Sequence, residues 1–250
     1  MKKIILSGCN GTMGRVISNL ANEREDVKII AGVDIKTDSF GDFPVFSCFA
    51  DVNLPCDAII DFSHPAQLGS LLNFAVKNKI PTVIGTTGIS EEQREKIKEA
   101  SKLIPIFFTG NMSIGINLIS ELCKKASKVL GEQFDVEIIE KHHNKKIDAP
   151  SGTALMLGES VKEGLDYEAN YVFDRHERRE KRSKEEIGFH SVRGGTIVGE
   201  HEVIFAGNDE IVTLKHTALS KNIFANGAIN ASIFLSEQGA GLYDMKDMLK

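Results

Sequence analysis

The chain has 250 residues, of which 42% are hydrophobic and 26% charged, and its formal net charge at pH 7 is −5. These values predict a folded globular protein of one or two domains, and the acidic balance argues against a general nucleic-acid binder. The apolar run after "MKK" is too short for a signal peptide, and no apolar stretch approaches the length of a membrane span.

Strand and helix patterns alternate over residues 1–112. The apolar, strand-like runs are "KKIILSG", "VKIIAGVD", "CDAIIDFS", "PTVIGTTG" and "PIFFTGN". Between them lie segments with helical spacing: "GTMGRVISNLANERED", "HPAQLGSLLNFAVKNK" and "SEEQREKIKEASK". Continuously apolar strands that alternate with helices are typical of a Rossmann-like, doubly wound parallel sheet. We therefore predict an α/β dinucleotide-binding domain over residues 1–112.

The stretch "GCNGTMG", residues 8–14, joins the first strand to the first helix. Glycines at such a turn let a pyrophosphate approach the N–H groups of a helix N-terminus. The spacing G-x-x-G-x-x-G differs from the standard G-x-G-x-x-G, so an ordinary tight turn remains an alternative. Asp34 ends the second strand, where a carboxylate binds ribose hydroxyls and repels a 2′-phosphate. The sequence thus favours NADH over NADPH, although Lys36 offsets part of the repulsion.

The pattern changes after residue 112. "SIGINLISELCKKASKVLG" predicts a long helix, "FDVEIIEKHH" predicts a strand, and residues 187–219 hold short strands broken by Gly-Gly and Asn-Asp. These features predict a second, α+β domain with a mixed sheet over residues 113–222. The last helical segment, within 223–250, is predicted to return to the first domain. The charged run 174–186 holds both signs and is predicted to be a solvated surface.

The stretch "EKHHNKKIDAPSGTA", residues 140–154, is locally cationic and leads into a predicted helix start capped by Ser151 or Thr153. Lysines and N–H groups at a helix N-terminus favour an anionic ligand, and a neighbouring histidine can relay a proton. Adjacent histidines on a strand point to opposite faces, so a shared metal is not expected. The four cysteines match no zinc template and are expected to be reduced thiols. A structural histidine remains the alternative for His142 or His143 alone.

This stretch closely resembles the signature of the dihydrodipicolinate reductase family, now called 4-hydroxy-tetrahydrodipicolinate reductase. The blocks "GTMGR", "VIGTTG", "GNMSIGIN", "GFHSVRGGTIVGEHEV" and "FANGA" follow the family order over nearly the whole chain. The resemblance implies reduction of 4-hydroxy-tetrahydrodipicolinate to tetrahydrodipicolinate by NADH or NADPH, with loss of water, on the route to diaminopimelate and lysine. It further implies a cytoplasmic homotetramer that associates through the second domain and binds a small dicarboxylate, not nucleic acid or membrane.

The resemblance also assigns roles to residues. His142 and Lys146 resemble the proton-donating pair, and no metal is implied. Substrate contacts are implied for His143, Gly152 and Thr153. Cofactor contacts are implied for Gly8, Cys9, Asn10, Gly11, Thr12, Met13, Asp34, Gly85, Thr86, Thr87, Thr109, Gly110, Asn111 and Met112.

Some positions depart from the family pattern. Ile35 stands where many relatives carry arginine, which weakens the expectation of NADPH use. Thr196 replaces an expected aspartate, and Thr109 and Met112 replace a frequent alanine and phenylalanine. Two alternatives stay open: another Rossmann-type NAD(P) oxidoreductase acting on a small amino or dicarboxylic acid, or a non-enzymatic NAD-binding regulator. The regulator would need a DNA-binding element, and the sequence suggests none.

Overall fold

The computed structural model describes residues 1–38, 41–176 and 178–248. Two predicted segments extend beyond these ranges: the charged run includes residue 177 and the C-terminal return includes 249–250, which lie outside the described residues. The chain divides into two compact units. Unit 1 holds residues 1–112 and the segment that begins at Lys221, and unit 2 is Ser113–Ser220.

The elements follow the predicted order along the chain. The strands are β1 (Lys2–Ser7), β2 (Val27–Val33), β3 (Val45–Phe46), β4 (Ala58–Asp61), β5 (Thr82–Ile84), β6 (Pro105–Phe108), β7 (Asp135–His142), β8 (Asn170–Val172), β9 (Glu186–Arg193), β10 (Gly199–Ala206), β11 (Ile211–Ala218) and β12 (Gly241–Tyr243). The helices are α1 (Thr12–Asn22), α2 (Leu68–Asn78), α3 (Glu91–Ser101), α4 (Ile114–Leu130), α5 (Gly152–Lys162), α6 (Asn222–Leu235) and α7 (Met245–Met248).

Unit 1 is built on a parallel sheet in the order β12-β6-β5-β4-β1-β2-β3. Alternate residues of β1 enter separate cores: Ile4 and Leu6 pack with α1 and α6, and Ile5 packs with α2 and α3. Helices on both faces explain why the strand reads as continuously apolar. The predicted doubly wound sheet is confirmed.

The strand order of unit 1 reverses between β1 and β4. From β1 the chain proceeds to β2 on one side, whereas β4 is followed by β5 on the other side. In open parallel sheets such a switch point leaves a crevice beyond the carboxyl ends of the strands, where ligands bind. Residues 8–14, hereafter the glycine loop, directly follow β1, so the fold brings this loop to the crevice.

Unit 2 contains a mixed sheet in the order β11-β10-β7-β9-β8. β10 pairs antiparallel with β7 and β11, whereas β7 and β9 run parallel. One face packs against α4 and α5 through Ile138, Leu157 and Phe205, which are almost fully buried. The predicted mixed sheet is confirmed. In the described ranges of the chain, no helix is long and apolar enough to span a membrane.

Candidate active site

The turn from β1 into the first turn of α1 requires glycine at two positions, Gly8 in the loop and Gly14 in the helix. Gly8 has φ +73°, and a Cβ there would lie 2.4 Å from the Phe62 carbonyl oxygen. A Cβ on Gly14 would lie 2.2 Å from the Gly8 carbonyl oxygen. The N-cap of α1 is Gly11, which has no side chain to accept hydrogen bonds from the first turn. This bare helix start fits the pyrophosphate of a dinucleotide.

Asp34 is tied to the same loop. One carboxylate oxygen accepts a hydrogen bond from the Asn10 N–H at 3.0 Å, and the other accepts one from the Lys36 N–H at 3.1 Å. The Asn10 side-chain amide in turn donates to the Lys36 carbonyl at 2.7 Å. The carboxylate is therefore held beside the glycine loop, where it can accept from ribose hydroxyls.

A cavity of about 510 Å³ opens beside Asp34. It lies within unit 1 and is lined partly by residues that follow β1, β2 and β4. The lining residues include Gly8, Gly11, Asp34, Ile35, Phe49 and Phe62. Its size and its aromatic walls suit part of a dinucleotide.

The other predicted cofactor residues of unit 1 differ in what they expose. Thr12 starts α1 as an exposed residue, with half-buried Met13 next to it, and Thr87 and Gly110 are exposed at the ends of β5 and β6. Gly85 lies against the Phe62 ring, and Thr109 and Asn111 are half-buried.

The side chains of Cys9 and Met112 are buried in the core, so only their main chain can meet a ligand. Burial, followed by the charge of Asp34, raises the pKa of Cys9 to about 11.

A buried aspartate at the switch point was missed by sequence reasoning. Asp61, the last residue of β4, is 1% exposed and accepts hydrogen bonds from Thr86 Oγ1 at 2.6 Å and Ser63 Oγ at 2.7 Å. These bonds hold the predicted cofactor residue Thr86 against β4. The available signal was a carboxylate inside the otherwise apolar run "AIIDF".

In unit 2, a buried glutamate organises the predicted proton-donating histidine. Glu140 is fully buried on the inner face of β7. One of its oxygens lies 2.5 Å from His142 Nδ1 and accepts from Arg193 Nη1 at 2.8 Å. The other accepts from Arg193 Nη2 at 2.6 Å and from the Ser151 N–H at 3.1 Å. One carboxylate thus joins β7, β9 and the start of α5.

These contacts set the charges at the site. Burial alone would raise the pKa of Glu140, but hydrogen bonds from Arg193 and His142 bring it down to about 2. Burial lowers the pKa of His142, and this effect exceeds the opposing pull of Glu140. At pH 7 the site therefore holds an ionised Glu140 and a neutral His142. An ionised carboxylate only accepts hydrogen bonds, so His142 carries its proton on Nδ1.

Lys146 lies in the loop after β7 and already has a partner. Its Nζ lies 2.8 Å from the Asp148 carboxylate, which also accepts from the Gly152 N–H. Burial opposes ionisation of Asp148, but the bond from Lys146 leaves its pKa lowered. Glu140 accepts from the Ser151 N–H, and Asp148 accepts from the Gly152 N–H. These two N–H groups at the helix start are therefore not free for an anionic ligand, and the prediction that they would be is wrong.

The predicted cap of α5 is confirmed at Ser151, whose hydroxyl accepts from the Ala154 N–H at 3.1 Å, with Thr153 half-buried in the first turn. Not every lysine of the cationic stretch joins the site. Lys141 lies on the opposite face of β7 from His142 and pairs with Glu200 at 3.4 Å. Lys145 is exposed. Strand alternation removes Lys141 and exposure removes Lys145, which leaves Lys146, whose charge also acts on the pKa of His142, as the lysine that can act with His142.

Four buried side-chain nitrogens in the described part of the chain have no hydrogen-bond partner, and all lie in unit 2. They are His143 Nδ1, Arg193 Nε, His201 Nδ1 and His216 Nδ1. Native proteins pair about nine in ten such atoms, so these exceptions call for an explanation, and a bound polar ligand is one. Among the described residues, no cluster of three or more histidine, cysteine, aspartate or glutamate side chains could hold a metal ion.

His201 is another residue that sequence reasoning missed. Its ring lies 5.1 Å from that of His142, and its Nε2 is 3.0 Å from the Ser151 hydroxyl. Burial, followed by the charge of His142, lowers the pKa of His201 to about 3. No local sequence signal points to His201, because only the pairing of β7 with β10 places it opposite Glu140.

Comparison with known proteins covers the whole chain. The family models "Dihydrodipicolinate reductase, N-terminus" and "Dihydrodipicolinate reductase, C-terminus" match residues 2–112 and 115–249. A 4-hydroxy-tetrahydrodipicolinate reductase from Caldanaerobacter subterraneus subsp. tengcongensis is 50% identical, with 100% of this chain and 99% of that protein covered. One from Clostridium novyi is 49% identical, with the same two coverages.

Solved structures agree in fold. A dipicolinate-bound dihydrodipicolinate reductase from Paenisporosarcina sp. TG-14 superposes with a TM-score of 0.79 at 25% identity, covering 98% of this chain and 97% of that one. A myo-inositol dehydrogenase from Corynebacterium glutamicum, at 14% identity and a TM-score of 0.64, shares the fold alone; 100% of this chain and 92% of that one are covered. With family models matched over both parts of the sequence and relatives near 50% identity over its full length, the chain belongs to the dihydrodipicolinate reductase family.

Proposed function

We propose that this protein reduces 4-hydroxy-tetrahydrodipicolinate to tetrahydrodipicolinate with NADH or NADPH and releases water, a step toward diaminopimelate and lysine. The observation that carries the proposal is a neutral His142 held by Glu140, with the Lys146 cation near enough to act on its pKa. Arg193 and His201 lie in the same group, and each has a buried nitrogen without a partner. Full-length relatives near 50% identity bear the name of this reductase. The proposal assigns cofactor binding to residues 1–112 with the C-terminal return, and substrate binding and oligomerisation to 113–222.

Unit 1 would hold the dinucleotide, because its glycine loop, Asp34 and the adjoining cavity fit a pyrophosphate and a ribose. When bound, the reduced nicotinamide supplies a hydride. The protein's contribution at this end is to bind and orient, through N–H groups of the α1 start and the fixed Asp34 carboxylate. The contacts proposed for Thr87, Gly110 and Asn111 extend the same edge of the sheet.

Unit 2 would bind the substrate carboxylates and manage protons. The relative from Paenisporosarcina is described as bound to dipicolinate, a dicarboxylate, which supports carboxylate recognition here. Lys146 is the cation proposed to receive one carboxylate, and that carboxylate must share Lys146 with Asp148. The Lys146 ammonium can also donate a proton. His142 exchanges a proton at Nε2, because Nδ1–H is committed to Glu140.

The reaction is tested by mixing the protein and NADH with the freshly formed condensation product of pyruvate and aspartate semialdehyde. We expect absorbance at the nicotinamide band to fall only when all components are present, and mass spectrometry to find the reduced, dehydrated ring. NADH binding without oxidation would instead point to a regulator. Oxidation only with other amino or dicarboxylic acids would point to a different oxidoreductase.

The cofactor preference follows from Asp34 and its exposed neighbour Ile35. We expect the wild type to use NADH at least as well as NADPH, because Asp34 repels a 2′-phosphate. Ile35 is 81% exposed and lines the cavity, so Ile35→Arg should offer a charged fork to that phosphate. The ratio of kcat/KM for NADPH over NADH should rise about tenfold or more.

Leu103→Arg is the control for this substitution, because it adds the same charge at a position 65% exposed that does not line the cavity. It should leave the NADPH to NADH ratio unchanged. A wild-type preference for NADPH of tenfold or more would contradict the role given to Asp34.

We further propose a homotetramer that associates through the outer face of the unit 2 sheet. On β10 and β11 this face carries two carboxylates and a lysine towards one end and the apolar Ile204 and Ile211 towards the other, and Ile211 is 68% exposed. Lys215 lies 3.5 Å from Glu200 and 4.0 Å from Glu202, so the charges are already paired within the face. A face whose charges are paired internally and which also exposes apolar side chains suits association with a copy of itself.

Light scattering is expected to give a mass four times the 27.4 kDa of one chain. Ile204→Lys places a charge on the half-buried outer face and should shift the protein to smaller species without unfolding it. Leu103→Lys, at an exposed position in unit 1, should keep the wild-type mass. A stable wild-type monomer at micromolar concentration is incompatible with this proposal.

The free cysteines and the paired arginines bear on the compartment and on nucleic-acid binding. We propose a cytoplasmic enzyme, in keeping with four free cysteines and no need of disulfides for folding. We propose no nucleic-acid partner, because arginines of the charged run pair with carboxylates. Arg175 and Arg178 pair with Glu186, and Arg182 pairs with Asp135 and Glu137.

A further inference from the structure

Glu140 combines complete burial with a full negative charge. It accepts two bonds from Arg193 and one each from His142 and the Ser151 N–H, and the Ser191 side chain also bonds to it. Replacing a buried ion pair by apolar residues of similar volume often costs no stability. The Glu140–Arg193 pair therefore calls for an explanation other than stability, and its contact with His142 supplies one.

The His142 ring is fixed at one end by Glu140 and faces a glycine at the other. Nδ1–H is directed to Glu140, whereas Nε2 faces Gly199 on β10, where an added Cβ would lie only 3.1 Å away. Glycine at this position keeps β10 from covering Nε2. The charged and titratable groups around the ring are Glu140 on β7, Arg193 on β9, Lys146 in the following loop and His201 on β10.

We propose that Glu140 and Arg193 are positioning residues for the proton transfer performed by His142. Glu140 fixes the ring and its Nδ1–H tautomer, so that Nε2 alone exchanges a proton. Arg193 neutralises Glu140, so that the imidazolium formed when Nε2 takes a proton can release it again. An unpaired buried carboxylate would hold that proton strongly. This inference rests on the proposed reductase function.

Glu140→Gln tests the first half of the inference. The amide keeps the shape of the carboxylate but does not enforce one tautomer, so kcat should fall on the order of 10²-fold while KM and the NADH Kd stay within about threefold. The limb of the kcat–pH profile that belongs to His142 should move to lower pH, because the carboxylate that favours imidazolium is gone.

Glu137→Gln is the matched control. Glu137 lies on the same strand and also contacts a histidine and an arginine, His190 at 2.8 Å and Arg182 at 3.0 Å, but on the outer face. Because Glu137 lies on the proposed association face, light scattering must first give this variant the wild-type mass; its kcat and pH profile should then match the wild type. A folded Glu140→Gln variant with kcat and pH limb equal to those of Glu137→Gln would overturn the inference.

Arg193→Met tests the second half, because it should move the same limb in the opposite direction. Removing the cation leaves Glu140 unopposed, so the His142 limb should rise by roughly one to three pH units. Arg193→Lys keeps the charge, so the His142 limb should rise less than in Arg193→Met. A merely structural ion pair would lower stability in both variants without opposite displacements, and displacement in one direction for both would refute the inference.

Two measurements keep the test independent of folding and of the reaction itself. The double variant Glu140→Gln/Arg193→Met removes both charges, so no buried charge is left unpaired; it should fold and still show the loss of kcat. NMR with ¹⁵N-labelled histidine reports the His142 tautomer without turnover. We expect the Nδ1–H form in the wild type and a mixture in Glu140→Gln. An Nε2–H form in the wild type would overturn the inference even if reductase activity is present, whereas an inactive wild type with the Nδ1–H form would count against the proposed function alone.

Discussion

Lys146→Ala is expected to lower kcat/KM more than any other single change in unit 2. Loss of a general acid costs roughly 10²–10⁴ in rate, and loss of a charged contact to a substrate carboxylate adds about 1.5–3 kcal/mol. Folding should be almost unaffected, because the partner Asp148 has 57% of its side chain exposed and such ion pairs contribute little stability. The NADH Kd should also be unchanged, because the glycine loop belongs to unit 1.

The chain provides a close control in Lys145→Ala. Lys145 precedes Lys146 but is exposed, so its removal should leave kcat and KM near the wild-type values. His142→Ala should lower kcat more than it raises KM, because in the proposed site Lys146 would still pair with the substrate. If Lys146→Ala retained near-wild-type kcat/KM, the loop after β7 that carries Lys145 and Lys146 would be a solvated surface. The assignment of the substrate site would then be wrong.

Gly8→Ala is expected to have the largest effect in unit 1. The new methyl group would lie 2.4 Å from a main-chain oxygen, and φ of +73° disfavours any side chain. Overpacking costs about 1–3 kcal/mol and the left-handed conformation about 1–2 kcal/mol more. The loop must shift to relieve the contact, so the Kd for NADH should rise more than about tenfold, a loss of ~1.4 kcal/mol.

Gly69→Ala separates this effect from the general effect of replacing glycine. Gly69 lies in α2, has no positive φ, and an added Cβ would meet nothing within 4 Å. This substitution should raise the free energy of unfolding by about 0.5–1 kcal/mol and leave NADH binding intact. Urea denaturation and calorimetric titration measure both quantities. Equal behaviour of the two variants would show that the glycine loop is not the dinucleotide cradle.

The fold class of each unit could be predicted from the sequence, because strand, helix and cap signals each act over a few residues. The alternation of apolar strands and amphipathic helices predicted a doubly wound sheet, and this is confirmed by the parallel pairing of β1 with β2 and β4. The cap at Ser151 was likewise predicted from local chemistry and is confirmed. The placement of Lys146 four residues after His142 made both of them candidates for one site.

Contacts between segments far apart in the chain establish which groups surround these candidates. Glu140 and Arg193 are 53 residues apart and meet through the register of β7 and β9. Ser151 and His201 are 50 residues apart and meet where the start of α5 packs against β10. Local periodicity places a residue on a face of its strand but does not say which strand lies beside it. Burial and neighbouring charge then fix the protonation of His142 and direct Lys141 to Glu200, and both depend on contacts between distant parts of the chain.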